Sequence, residues 1–481
     1  MLKINSIYLG NNLDVLKSFP DNSIDSVVTD PPYGLGKEPN AIEVLQSWVT
    51  TGYHEVKGKG FMGKEWDAFV PQPNFWKEIY RVLKPGGYVL SFAGTRTYDW
   101  MVMAVRLAGF EIRDMIAWLY GSGFPKGLDI SKAIESTLLK GNSHSKSLRQ
   151  VEQDGDGESY TLKGKNNGIM GEDRTYDRKE FEPSTEEAKQ WNGWGTALKP
   201  ALEPIVMARK PLDGTVAQNV LKHGVGGINI DECRVETDDD ISGVSSKTSI
   251  WGDGNSKQIM SNGNEQGGRF PANVIHDGSE EVVSLFPNTE SGKMTNEHQR
   301  HTDGSPNGIY GKFDVNHPLG ETYGDNGSAS RFFYTAKASQ EERNFGLNDF
   351  EEKRHADRNK DDGVGGNNPR NRTNHSRKNF HPTVKPIDLM RYLVRLVTPK
   401  NGICLDPYLG SGTTAIACEM EKFSWIGIEL MPEYAEIAKS RIGAVKDYES
   451  TLDTKTIIKE SIKEDKEKEL GIQNIFDLIG E

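Results

Sequence analysis

Hydrophobic and polar positions follow two different grammars along this chain, one at its ends and another in its middle. Near the start, Ile24 to Thr29 reads as a buried strand that stops at Asp30-Pro31-Pro32-Tyr33. Phe75, Trp76, Ile79, Tyr80 and Leu83 then recur at helical spacing. Lys84-Pro85-Gly86-Gly87 ends that predicted helix and turns the chain into a strand over Tyr88 to Phe92. Trp100, Met101, Ala104 and Leu107 predict the next helix and Met115 to Leu119 the next strand. The same alternation resumes at His381. Ile387, Met390, Leu393, Val394 and Val397 line one helical face, Ile403 to Leu405 is a strand, and a glycine turn leads into a helix from about Thr414. A strand over Trp425 to Ile428 ends at Glu429, and Pro432 opens a helix with Tyr434, Ile437 and Ala438 inward. Alternating strands and helices require a parallel sheet covered on both faces.

Between these blocks the pattern weakens. Gly141 to Glu186 is rich in Gly, Asn, Ser and charge; brief apolar order returns at Glu203 to Ala208, Gly227 to Ile230, Ala272 to Ile275 and Arg331 to Thr335, and about 211 to 345 reads as a strand-poor, loop-rich module. The expected division is 1–130 and 375–445 as two halves of one α/β domain, 131–374 as an insertion, and 446–481 as a charged helical tail. No internal repeat is visible. At 481 residues the chain exceeds a usual single core, which suits one domain carrying a large insertion.

Composition narrows the class. A mean hydropathy of -0.63, with 35% hydrophobic residues, allows a core and places much polar sequence outside it. No run of about eighteen apolar residues occurs, and Met1 to Asn5 leads directly into strand-like sequence, so a membrane-spanning or secreted protein is not expected. Cys233, Cys404 and Cys418 form no CxxC pair, which argues against a disulfide scaffold or cysteine-rich zinc site and for a reducing cytoplasm. The net charge of -12 disfavours non-specific coating of nucleic acid. A local basic surface remains: Lys360 to Lys400 holds nine Lys or Arg against three Asp, whereas Lys446 to Glu481 has six Lys against ten acids.

Each α/β block sets one unusual loop at the C-terminal end of a strand, where open parallel sheets bind ligands. Asp30-Pro31-Pro32-Tyr33 read blandly is a rigid turn. Read chemically, two prolines fix the backbone so that the Asp30 carboxylate and Pro31 carbonyl accept from one amine, with Tyr33 as a stacking face. The second loop, Leu405-Asp406-Pro407-Tyr408-Leu409-Gly410-Ser411-Gly412-Thr413-Thr414, lets backbone approach a ligand at a helix N-terminus. Gly410-x-Gly412-x-x-Ala415 also matches the loose dinucleotide pattern, with Glu429 placed for ribose hydroxyls, and the lysine of an ATP P-loop is missing.

Taken together, Asp30-Pro-Pro-Tyr33 and Asp406-Pro-Tyr408-x-Gly410-Ser-Gly412-Thr-Thr resemble the catalytic and cofactor motifs of amino-group DNA methyltransferases, in the beta-class motif order. His381-Pro382-Thr383-Val384-Lys385-Pro386 and Lys84-Pro85-Gly86-Gly87 are similar to further family segments. The resemblance covers roughly residues 1 to 130 and 375 to 445. It implies a Rossmann-like S-adenosylmethionine-dependent methyltransferase sheet built from both chain ends, with the insertion as target recognition region. It implies that Asp30 and the Pro31 carbonyl accept the amine of a flipped adenine, with Pro32 in the loop and Tyr33 stacking. Asn11, Lys385, Asp406, Tyr408, Gly410, Ser411, Gly412, Thr413 and Glu429 are the implied cofactor residues, and no metal is needed. The family usually has Phe where Tyr408 stands, and Gly-Asp where Gly10-Asn11 stands.

The resulting expectation is adenine-N6 methylation of double-stranded DNA in the cytoplasm of a bacterium or phage-infected host. N4-cytosine or RNA methylation and, from the glycine pattern alone, a nicotinamide-dependent oxidoreductase are the alternatives. No nuclease or helicase segment is recognisable, so a cognate restriction endonuclease would be a separate protein, and similar enzymes commonly form homodimers. Trp191-Asn192-Gly193-Trp194-Gly195 and Arg331-Phe332-Phe333-Tyr334 are expected to pack a small module rather than stack bases. Arg370, Arg372, Arg377 and Lys378 suit phosphate contact or a solvated linker equally, and Asp238-Asp239-Asp240 lacks calcium-loop spacing.

Overall fold

The computed structural model describes residues 2–56, 67–123, 127–140, 159–161, 175–177, 181–237, 268–291, 325–336, 340–351 and 378–450. Asp238 to Asp240, Arg370, Arg372, Arg377 and the tail beyond residue 450 lie outside them. Chain contacts divide the molecule into a unit of 1–121 with 202–481 and a second of 122–201. The first unit carries a nine-stranded sheet of β1 (Ser6–Leu9), β2 (Ile24–Thr29), β3 (Leu83–Phe92), β4 (Glu111–Leu119), β5 (Leu202–Arg209), β6 (Val274–His276), β7 (Tyr334–Thr335), β8 (Ile403–Asp406) and β9 (Ser424–Glu429). Their order is β1-β9-β8-β2-β3-β5-β4-β6-β7. Neighbours run parallel except at β5, which is antiparallel to both β3 and β4. The fold is Rossmann-like α/β, built from both ends of the chain.

The side-chain alternation of a strand explains the layers. Val27, Val89, Leu405 and Ile426 point to one face, where Leu16, Trp76, Ile79 and Met101 cover them. Val28, Leu90, Cys404 and Trp425 point to the other, covered by Leu389, Leu393, Ala415 and Ala438. Helices of the first block therefore cover one face and those of the last block the other. Strands buried on both faces lack polar alternation, as β2 shows with all six residues buried.

The stretch expected to stand apart as an insertion adds three strands to this sheet. β5, β6 and β7 come from it, and β5 sits between β3 and β4. Single short runs such as Glu203 to Ala208 carry no sign of their partners, so periodicity read them as fragments of a module. The Lys84-Pro85-Gly86-Gly87 turn also differs from expectation, since β3 already starts at Leu83 and contains it. Register shifts there relative to β2. Gly86 has φ +81°, and a Cβ on it would lie 2.2 Å from Asn219 Nδ2. Buried Asn219 donates to the Pro85 and Val225 carbonyls and accepts from Asp213 N–H, tying the irregular strand start.

In the second unit, helix Ile130–Lys140 packs on Glu186–Gln190, and Ser131 Oγ donates to the Ala188 carbonyl at 2.7 Å. Burial opposes the Glu135 charge, yet hydrogen bonds from Ser184 and Thr185 hold its carboxyl down at about 2. Trp191 and Trp194 touch edge to face at 5.1 Å, but Trp194 is 59% exposed, so it does not pack as the sequence suggests. In the first unit, Tyr334 does pack, stacking on Tyr392 at 4.2 Å. No helix among the described residues is long and apolar enough to cross a membrane.

Trp76 is fully buried beneath β2 and β3, with its indole N–H donating to the Pro71 carbonyl at 3.0 Å. Trp76→Ala should cost about 3–5 kcal/mol of stability, read as a lower urea midpoint at unchanged slope.

Candidate active site at the strand switch point

β8 and β2 are adjacent and parallel, yet β8 leads outward through β9 and β2 through β3. The order reverses between them, which opens a crevice at their C-terminal ends. Asp30 and Asp406 each end one of these strands. Thr29 Oγ1 donates to Asp406 Oδ1 at 2.7 Å, fastening the two loops at their roots.

The Asp406 carboxylate is an organiser. It also accepts from the Tyr408 N–H at 3.1 Å and from the Thr414 hydroxyl, so it ties strand end, loop and following helix. Burial pushes its carboxyl up to about 6, although those three donors oppose the rise, and the Asp30 charge adds to it. Glu429, at the end of β9, accepts from Gly410 N–H at 2.8 Å and Met431 N–H at 2.9 Å. Burial raises its carboxyl as well, against those bonds.

Gly410 is required where it stands. Its φ is +54°, and a Cβ would come 2.8 Å from His381 Nε2. His381 Nδ1 donates to the Thr383 carbonyl at 2.7 Å, and burial, with Arg343, Arg441 and Lys385 nearby, lowers its imidazole to about 4. The ring is thus neutral at neutral pH. Behind the loop, Arg441 is fully buried and donates to the Ser411 carbonyl at 2.7 Å, Ser411 Oγ at 3.0 Å and Thr413 Oγ1 at 3.2 Å. Tyr408 lies 5.2 Å from the Phe75 ring, and the Asn12 side chain serves its hydroxyl.

Across the crevice, Lys385 Nζ reaches Asp30 Oδ2 at 2.7 Å and Glu203 Oε2 at 3.1 Å. Burial disfavours the Lys385 charge, but the two carboxylates overcome that and raise its pKa, so it stays protonated. The Tyr33 hydroxyl stands 2.8 Å from Asp30 Oδ1 and 2.9 Å from Glu203 Oε2, and Thr97 Oγ1 donates to the Tyr33 carbonyl at 2.6 Å. Burial and then the two negative neighbours push the Tyr33 phenol well above its ordinary value. Pro31 is buried and Pro32 half-buried, which leaves the turn rigid.

A family model described as DNA methylase matches residues 24–440, spanning both loops. The chain belongs to this family. M.HindIII, a type II methyltransferase of Haemophilus influenzae, is 25% identical over 248 residues, covering 47% of this chain and 65% of that protein. M.HpaI, a type II methyltransferase of Haemophilus parainfluenzae, is 36% identical over 132 residues, covering 27% of this chain and 36% of that one. The match thus spans less than two thirds of either relative. Among solved structures, that of M1.HpyAVI with SAM aligns over 91% of this chain and 98% of the other, at 12% identity and a TM-score of 0.33.

In this chain the expected site residues gather into two groups. Asp30, Tyr33 and Lys385 meet directly, and Asp406, Tyr408, Gly410, Ser411, Gly412, Thr413 and Glu429 form the neighbouring loop. Lys385, expected among the cofactor residues, bonds to Asp30 of the Asp30-Pro31-Pro32-Tyr33 loop. Asn11 is exposed, and its side chain caps helix Asn12–Leu16 through the Leu13 N–H. Its neighbour Asn12 is the residue that reaches the Asp406 loop, donating to the Pro407 carbonyl at 3.3 Å. Glu203 and Arg441 were not anticipated. Each left a signal: Glu203 heads an apolar run, and Arg441 falls on the same inward helical face as Tyr434, Ile437 and Ala438.

Asp406 generates a pH prediction. A raised value in the folded state means the native protein binds this proton more tightly than the unfolded chain. The stabilisation is present in full below about pH 4 and lost as pH rises through about 6. Relative to Asp406→Asn, the wild type should lose about 2 kcal/mol between pH 4 and pH 7, measured by paired denaturant titrations.

Proposed function

We propose that this chain is an S-adenosyl-L-methionine-dependent DNA methyltransferase acting on adenine N6 in double-stranded DNA. The observation that carries this reading is the pairing of the two loops at one switch point, fastened by Thr29 and Asp406, in a chain of the DNA methylase family. The relatives named as type II methyltransferases support the same direction.

The residues present suit this cofactor. Gly410 leaves backbone bare where a Cβ would fill the loop against His381. Asp406 and Glu429 put buried carboxylates beside it, a donor set matched to a cationic amino acid moiety and ribose hydroxyls. When bound, S-adenosyl-L-methionine supplies a sulfonium-activated methyl group. The chain's residues do the rest. Asp30 and the Pro31 carbonyl orient the target amine as acceptors, and the prolines add no competing N–H donor. Tyr33, pinned at its hydroxyl, offers its ring to the extruded base. His381, neutral and buttressing Gly410, keeps the glycine turn in shape. The aspartate at position 30 favours adenine, since similar cytosine-N4 enzymes more often carry serine there.

Nucleosides from DNA of a methylation-deficient host should contain N6-methyladenine after expression of the wild type and none after Asp30→Ala. N4-methylcytosine would leave cofactor and loops as described and change the base alone. In binding titrations the protein should saturate with S-adenosyl-L-methionine and show no NAD binding. Gly410→Ala should weaken that affinity by about tenfold or more, because its Cβ collides with His381.

A further inference from the structure

Asp30 does not stand open to a ligand. Lys385 Nζ lies 2.7 Å from its Oδ2, and the Tyr33 hydroxyl lies 2.8 Å from its Oδ1. An amine arriving at this carboxylate meets an acceptor already engaged on both oxygens. Each oxygen keeps a second lone pair, but the ammonium beside it draws off negative charge, so Asp30 accepts more strongly from an arriving amine once these donors have another partner.

Glu203 is that partner. Its Oε2 is 3.1 Å from Lys385 Nζ and 2.9 Å from the Tyr33 hydroxyl. Lys385 Nζ is also 3.1 Å from the Tyr33 oxygen, so each of its three N–H bonds has an acceptor. The Tyr33 hydroxyl has one proton and two carboxylates at nearly equal distance. The same four groups thus support two arrangements, one with Tyr33 and Lys385 turned to Asp30 and one with both turned to Glu203. Distances differing by a few tenths of an ångström make the exchange a small reorientation. Lys385 is 8% exposed, and a buried ammonium leaves one carboxylate readily only if a second receives it.

We propose that Glu203 is a positioning residue of the methyl-transfer reaction, which accepts the hydrogen bonds of Lys385 and of the Tyr33 hydroxyl, both groups keeping their protons, when the target amine docks on Asp30. This rests on the methyltransferase reading above. Glu203 is the second residue of β5, opposite Trp118 in the register with β4. β5 thereby links the middle of the chain to the reacting centre. Without Glu203, Lys385 would be committed to Asp30, and the amine would compete with a full positive charge for its acceptor.

The test is single-turnover methyl transfer from tritiated S-adenosyl-L-methionine into DNA from a methylation-deficient host, with enzyme in excess. Glu203→Gln keeps the shape and removes the charge. It should slow transfer by about tenfold or more, with cofactor affinity and melting temperature close to wild type. In a Lys385→Met background, adding Glu203→Gln should cause a smaller loss than it does in the wild type, since the lysine it restrains is gone and only the Tyr33 hydroxyl is left for it to receive. Transfer within twofold of wild type, or an undiminished loss in the Lys385→Met background, overturns the proposal. Should Glu203→Gln fail to fold, Glu203→Asp, which withdraws the carboxylate by one methylene, is held to the same rate criterion. A wild type that binds the cofactor yet methylates no DNA overturns the methyltransferase reading, and the inference with it; a loss confined to Glu203 variants leaves that reading standing.

Discussion

The site depends on one piece of strand pairing, that of β2 with β8. These strands lie 377 residues apart at the Thr29 to Asp406 hydrogen bond, and only their parallel adjacency brings two loops from opposite ends of the chain to one crevice. Adjacent parallel strands begin and end level, so whatever follows each strand must share the same edge. Because β8 continues outward on one side and β2 on the other, the helices that follow diverge onto opposite faces and leave the gap between the loops unroofed. Thr29 and Asp406 convert that general consequence of winding into a fixed distance.

Around this junction the chain concentrates negative charge in a place where water is scarce. Asp30, Asp406, Glu429 and Glu203 all border the crevice, and Lys385 is the cation that meets two of them directly. Asp406 and Glu429 instead draw on hydroxyl and backbone donors, which orient a carboxylate but do not cancel its charge. The raised carboxyls follow from that incomplete compensation. Incomplete compensation in the unliganded protein is what a site for a cation-bearing ligand needs, because the same charges gain most from a positive group that arrives later. Arg441 shows the complementary strategy. Placed behind the loop rather than in it, it spends its guanidinium on the Ser411 carbonyl and two hydroxyls, and fixes the backbone without neutralising the acids in front.

Much of this was legible in the sequence wherever order is local. β2 and the helices opened by Pro73, Ile387 and Pro432 lie where their apolar spacing and stop residues place them. Both loops were visible because each combines prolines or glycines with an acid directly after a strand. What stayed hidden is non-local. β5 is eight residues whose meaning comes from inserting between β3 and β4, and its run of apolar residues is the same whether it crosses a major sheet or a small module. Lys385 was visible as a residue of a basic segment, but its partners, Asp30 and Glu203, are 355 residues away or on a strand no spacing rule connects to it. Trp194 misled for a related reason: a large aromatic predicts burial on average, and here no neighbour in its own unit covers it.

The antiparallel strand β5 also holds the Asp30 loop beyond what its prolines alone can do. Prolines restrict φ but leave a side chain free to choose its rotamer, so Asp30 could otherwise turn toward solvent. Tyr33, three residues on, returns its hydroxyl to Asp30, and that hydroxyl is itself held by Glu203 from β5. Thr97 fixes the Tyr33 carbonyl from the segment after β3. The loop is thus gripped from β3 and β5, the strands on the far side of β2 from the Asp406 loop, while Thr29 holds it to β8. Three strands constrain one carboxylate, and of their grips only the Tyr33 and Lys385 bonds to Asp30 can be exchanged for an equivalent acceptor without moving the backbone. The scaffold stays fixed, and the freedom the chemistry uses is confined to a hydroxyl and an ammonium group.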